Sequence, residues 1–239
     1  MRSSGHLALI TGGAAGIGLA LAKTFWAHGN QVILVGRNEA SLHSAAVELP
    51  GAVTCVADVS KAEDRERLVT LFPQVTVLVN NAGIQVYKPI EASRDQEIEQ
   101  EIAVNLVAPI LLAKAFLPHL RRHPEAAIVN VTSGLALAPK QATAIYCATK
   151  AGLHSASQSL RWQLEDSTVS VFEVLPPFVA TAMTAHRGHG GMTPEQLAQA
   201  FWSGFVRNRY QMPIGATRWL QFLLRIAPGL ANAKVRHRV

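Results

Sequence analysis

Eight residues near the N-terminus, Thr11-Gly12-Gly13-Ala14-Ala15-Gly16-Ile17-Gly18, constrain this chain more than any other segment. They follow the apolar run Leu7–Ile10, which reads as a buried strand, and open the segment Gly18–His28, which reads as a helix. Glycines at such a junction let the backbone turn sharply. They also bring free N–H groups and the positive end of a helix dipole close to a phosphate. The motif alone would suit an unliganded turn; its place in a first βαβ unit points to dinucleotide binding.

The rest of the chain repeats that unit. Aliphatic runs recur at Gln31–Val35, Val53–Val56, Val75–Val79, Ala127–Val131 and Val169–Leu175, and read as strands. Segments of helical period lie between them at Ala40–Leu49, Ala62–Phe72, Asp95–Leu117 and Ile145–Leu164. This alternation predicts an α/β fold: a single-domain, Rossmann-type doubly wound parallel sheet with helices on both faces, spanning residues 1–239. With 49% hydrophobic residues the chain can fill such a core.

After Leu175 the alternation is expected to stop. The composition of residues 176–192 suits a mobile substrate loop, and the remainder of 177–239 is expected to hold C-terminal helices. One runs from Pro194 to Val206 behind an N-capping Thr193, and a last one from Thr217 to Ile226, ending before Pro228-Gly229. Met183, Met192, Phe201, Trp202, Phe205 and Trp219 suit either an apolar lid over a substrate or helix packing.

Several function classes are excluded on composition. The most apolar stretch, Ile102–Leu117, is interrupted by Asn105, Pro109 and Lys114, so no membrane span is expected. The N-terminus carries no signal-type segment, and the chain reads as mature and cytoplasmic. Of the net charge of +6, three charges come from Lys234, Arg236 and Arg238, which is no nucleic-acid footprint. Cys55 and Cys147 read as buried small side chains. His186 and His189 read as solvated loop residues, and no ligand cluster calls for a metal.

The chemistry is carried further along the chain. Tyr146 and Lys150 stand four residues apart on one helix face, where an ammonium favours the phenolate and draws the tyrosine toward the working pH range. Ser133 ends the fifth strand, and open α/β sheets bind ligands at the carboxyl ends of their strands. Asn105 is a polar residue in an apolar helix, either functional or a hydrogen-bonded kink. At the end of the second strand, Gly36 offers no carboxylate to a ribose, while Arg37 and Asn38 follow. A guanidinium there suits a 2′-phosphate, so NADP(H) is expected over NAD(H), which stays possible.

The Gly-x-x-x-Gly-x-Gly spacing, Asn80-Asn81-Ala82-Gly83, Ser133 and Tyr146-x-x-x-Lys150 together resemble the short-chain dehydrogenases/reductases, in that family's order from Thr11 to Pro176. The resemblance implies that Gly12, Gly16, Ile17 and Gly18 line the diphosphate and that Asp58 and Val59 contact the adenine. It places Asn81 and Gly83 on the cofactor side, with Tyr146 and Lys150 reaching the nicotinamide ribose. Pro176-Pro177-Phe178-Val179-Ala180-Thr181 is similar to the segment that holds the nicotinamide through Val179 and Thr181, with Pro177 replacing the usual glycine. The implied catalytic set is Asn105, Ser133, Tyr146 and Lys150, acting on a small carbonyl or alcohol substrate in a homodimer or homotetramer. The tail after Arg209 most resembles the branch named after the oxidoreductase of the D-alanyl-lipoteichoic-acid operon. The competing reading is a non-catalytic NADP(H)-binding sensor or scaffold on the same fold.

Overall fold

The computed structural model describes residues 1–187 and 190–236. The chain runs β1 (Leu7–Thr11), α1 (Gly16–Ala27), β2 (Gln31–Gly36), α2 (Glu39–Val47), β3 (Val53–Val56), α3 (Ala62–Leu71) and β4 (Val77–Asn80). It continues with α4 (Asp95–Ile102), α5 (Ala108–Leu120), β5 (Ala126–Val131), α6 (Ala144–Gln163), β6 (Val169–Leu175) and α7 (Pro194–Phe205). It closes with β7 (Gln211–Pro213), α8 (Ala216–Ile226) and α9 (Pro228–Arg236). The strands form one seven-stranded sheet in the order β3-β2-β1-β4-β5-β6-β7, parallel at every pairing. The order reverses between β1 and β4, so the crevice for a ligand opens at their carboxyl ends.

Burial on both faces explains why the central strands read as unbroken aliphatic runs; every residue of β4 and β5 is buried. On one face Phe25 of α1 packs with Phe201, Trp202 and Phe205 of α7, ring centroids 5.2–5.9 Å apart. On the other, Leu68, Leu112 and Phe116 cover β1, β4 and β5. The aromatic residues of α7 are therefore core, whereas Met183, Met192 and Trp219 line the cavity described below. Thr193 and Gln196 exchange hydrogen bonds in a capping box that starts α7.

Three features differ from expectation. Strand β7 extends the sheet after the predicted end of the alternation, because β6 leaves an open edge that Tyr210 O and Ile214 N satisfy. Its three residues, with only Met212 buried, are too few for a periodic signal. Helix α9 begins at Pro228, which reads in sequence as a stop; a first helical position has no need of the missing N–H. The predicted helix Asp95–Leu117 is divided by a π-turn at Ala103–Val107. Taken whole, Asp95–Leu120 is long and apolar enough to cross a membrane on length and composition. Here its Ala108, Leu112, Phe116 and Leu120 are buried in the core. His189 lies outside the described residues.

Candidate active site

The glycine turn is fixed to the sheet by Thr11. Its hydroxyl accepts from the N–H groups of Asn81 and Ala82 at 3.0 Å each and donates to Val79 O, tying the end of β1 to the end of β4. Asn81 Nδ2 donates back to Thr11 O and Gly12 O. Gly12 holds φ +65°, a region that costs a side chain strain. Helix α1 has no side-chain cap and no acid in its first turn, so its leading N–H groups are open to an anion. Gly12, Ala15, Gly16 and Ile17 form one end of a cavity of about 990 Å³.

Ser133, Tyr146 and Lys150 line the same cavity. Ser133 lies two residues beyond the end of β5, and its Oγ accepts from Leu135 N at 3.1 Å, which holds the hydroxyl in place. Lys150 Nζ lies 5.7 Å from the centre of the Tyr146 ring and donates to Val131 O at 2.9 Å. Lys150 is only 4% exposed, and burial pulls its pKa down to about 8, against the opposing charge of Glu101.

Asn105 sits in the π-turn, fully buried. Its Oδ1 accepts from Ile84 N at 2.9 Å, and its Nδ2 donates to Ile84 O and Thr149 Oγ1. It does not line the cavity. A Cβ on Gly83 would stand 3.2 Å from Asn105 Oδ1 and 3.7 Å from Lys150 Nζ, so this glycine keeps the space between them open. Asn80 secures the sheet beneath through Asn130 Oδ1 at 2.9 Å, and Asn130 continues to Ser157.

The other residues singled out in the sequence fall into two groups. Asn81, Gly83, Val179 and Thr181 line the cavity, and Gly18 packs directly behind Gly12. Arg37, Asn38, Asp58 and Val59 lie outside its wall, beyond the carboxyl ends of β2 and β3. Arg37 is exposed. Asn38 caps α2 by accepting from Ser41 N, and Asp58 accepts from Ser60 N and Oγ in the turn before α3. Val59 is buried among core residues.

Two buried acids escaped the sequence reading: Glu173, paired with His154 and accepting from Thr132 Oγ1, and Glu101. Glu101, one turn before Asn105, is fully buried. Its Oε1 accepts from Val86 N at 3.3 Å, and Oε2 has no partner among the described residues. Burial raises its pKa to about 7, opposed by the Val86 hydrogen bond and by Lys150. A single Glu in a polar helical turn carries no signal of burial; only its place four residues before Asn105 marks the same face.

A carboxyl with a raised pKa keeps a proton in the folded chain that the unfolded chain loses. Stability from this group is therefore fully present below about pH 4.5 and is lost as pH rises to about 7. Glu101→Gln cannot ionise and escapes that loss. It is expected to melt higher than the parent at pH 8 by on the order of 1–2 kcal/mol, roughly 2–8 °C, with little gain at pH 4. Thermal melts across pH test this, and an equal difference at both pH values contradicts a neutral buried Glu101.

A doubly wound parallel sheet with a glycine turn at its switch point, and with Ser, Tyr and Lys lining the same crevice, defines a nicotinamide-dependent oxidoreductase of the short-chain type. The profile described as short chain dehydrogenase matches residues 6–190, and the chain belongs to that family. It is 42% identical over 226 residues to DltE, an uncharacterized oxidoreductase of Bacillus subtilis strain 168, with 89% of each chain covered. A short-chain dehydrogenase from Sphingobium yanoikuyae in complex with NADPH superposes with a TM-score of 0.82 at 29% identity, covering 98% of each chain. The 3-ketoacyl-(acyl-carrier-protein) reductase from Brucella melitensis complexed with NADH gives 0.77 at 30% identity, covering 84% of this chain and 90% of that one.

Proposed function

We propose that this protein is an NADP(H)-dependent oxidoreductase that moves a hydride between the nicotinamide and a carbonyl or alcohol carbon of a small, largely apolar substrate. The observation that carries the reading is the continuous cavity wall from the Gly12–Ile17 turn to Ser133, Tyr146 and Lys150. The residues suit the cofactor: bare glycines and uncapped α1 N–H groups for the diphosphate, and Val179, Thr181 and Lys150 toward the nicotinamide end. When bound, the dinucleotide supplies or receives the hydride.

The side chains do the rest. Ser133 donates a hydrogen bond to the reacting oxygen and polarises the carbonyl. Tyr146 passes its proton to that oxygen in reduction and takes it in oxidation. Lys150 stabilises the phenolate that remains. Its proton exchanges onward through the space beside Gly83 toward Asn105, which positions water there. In sum, a carbonyl, the reduced cofactor and one proton give an alcohol and the oxidised cofactor.

Support for NADP(H) over NAD(H) comes from Arg37, which is exposed, follows Gly36 at the end of β2 and makes no ion pair among the described residues. Arg37→Ala is expected to weaken NADPH binding by about 10- to 100-fold, as for loss of a charge-assisted bidentate contact, and NADH binding by less than about threefold. Calorimetric titration decides it; an equal loss for both nucleotides removes Arg37 as the discriminator.

We place the protein in the cytoplasm as a homodimer or homotetramer. Val107 and Ile110 near the start of α5 and Trp162 at the end of α6 expose apolar surface suited to a second copy. The direct test of the activity is oxidation of NADPH with a panel of ketones, aldehydes and quinones. Turnover that depends on Tyr146 supports the reading. Tight NADPH binding with no turnover across the panel would favour the sensor instead.

A further inference from the structure

Among the described residues, the cavity wall contains three lysines, Lys140, Lys150 and Lys234, and no Asp or Glu. Lys150 is committed to Tyr146 and Val131, and Lys234 is exposed on α9. Lys140 is different, being only 3% exposed and yet making no ion pair among the described residues. Its Nζ donates to Tyr87 Oη at 3.1 Å and lies 4.7 Å from the centre of that ring. An ammonium has three donors, and burying one without a counter-charge is costly unless something supplies the charge.

The backbone pins this lysine beside the reacting centre. Lys140 lies in the connection between Ser133 and Tyr146, and its N–H donates to Sγ of Cys147, the residue next to Tyr146. Its carbonyl accepts from Thr143 N immediately before α6 begins. The N-terminal turn of α6 has no side-chain cap and no acid, which adds to the positive field on the same side. The same wall carries the apolar side chains of Leu135, Met183, Met192, Trp219, Leu220 and Leu223.

We infer that Lys140 is the subsite for a carboxylate carried by the substrate, and that the substrate class is an apolar oxo acid or the corresponding hydroxy acid. The carboxylate supplies the counter-charge that the protein withholds. The apolar body of the ligand lies against the methionine, leucine and tryptophan side chains, and its carbonyl reaches Ser133 and Tyr146. The substrate class rests on the oxidoreductase reading above, whereas the carboxylate subsite is read from binding alone.

The test uses ω-benzoyl carboxylic acids of increasing chain length, from benzoylformate to 4-benzoylbutyrate, each paired with its neutral methyl ester. Binding to the full-length protein saturated with NADP⁺ is measured by calorimetry, and kcat/KM by NADPH oxidation. At least one acid is expected to bind about 30-fold or more tightly than its ester, the size expected for a buried charge pair. That ratio is expected to fall below about threefold in Lys140→Met and to return in Lys140→Arg. Equal binding of acid and ester throughout the series in the parent protein, no binding of any acid, or a preference that survives Lys140→Met overturns the subsite. Lys140-dependent acid binding with neither partner reduced upholds the subsite and sinks the oxidoreductase reading. Tyr146-dependent reduction of acids and esters alike does the reverse.

Discussion

Tyr146→Phe is expected to lower kcat/KM by about 10²- to 10⁴-fold, the range in which a positioned general acid contributes, while NADPH affinity changes by less than about threefold. The substitution removes one oxygen and keeps the ring that faces Lys150 Nζ at 5.7 Å. Lys150 keeps its hydrogen bond to Val131 O, so the helix face should not rearrange. The loss therefore falls on the proton step. Steady-state kinetics beside a cofactor titration separate the two effects. Turnover within tenfold of the parent would assign the proton to another group and with it the whole catalytic set.

Gly18→Ala is expected to lower NADPH affinity by about 10²-fold or more and to destabilise the fold by about 1–3 kcal/mol, the range for overpacking a tight site. A Cβ at Gly18 would overlap the Gly12 carbonyl oxygen and come within 2.6 Å of Asn81 Nδ2. Neither neighbour can yield cheaply. Gly12 is backbone held at φ +65°, and Asn81 Nδ2 bonds the carbonyls of Thr11 and Gly12. Any shift moves the open N–H groups at the start of α1. Gly229→Ala is the control, since a Cβ there meets nothing within 4 Å, and its melting temperature should stay within about 2 °C of the parent. A normal NADPH affinity in Gly18→Ala would show that the turn does not carry the diphosphate.

The sequence alone determined the strand and helix alternation and the parallel sheet, and it singled out Ser133, Tyr146 and Lys150, which line one cavity. Those features are local or periodic: a strand buried on both faces reads as a continuous aliphatic run, and Tyr-x-x-x-Lys fixes two side chains on one helix face. Strand β7 and helix α9 were not legible. The first exists because β6 offers an unpaired edge, and the second because a proline that ends one helix can also begin the next. The aromatic residues of α7 divided from the cavity-lining Met183, Met192 and Trp219 only once α7 was seated on α1. Glu101 and Lys140 show the same limit most plainly. Each is a single charged residue with no pattern around it, and burial is a property of what the rest of the chain stacks over it. Only the tertiary structure decided that Glu101 is enclosed beside Lys150 and that Lys140 lines the cavity with no carboxylate partner among the described residues.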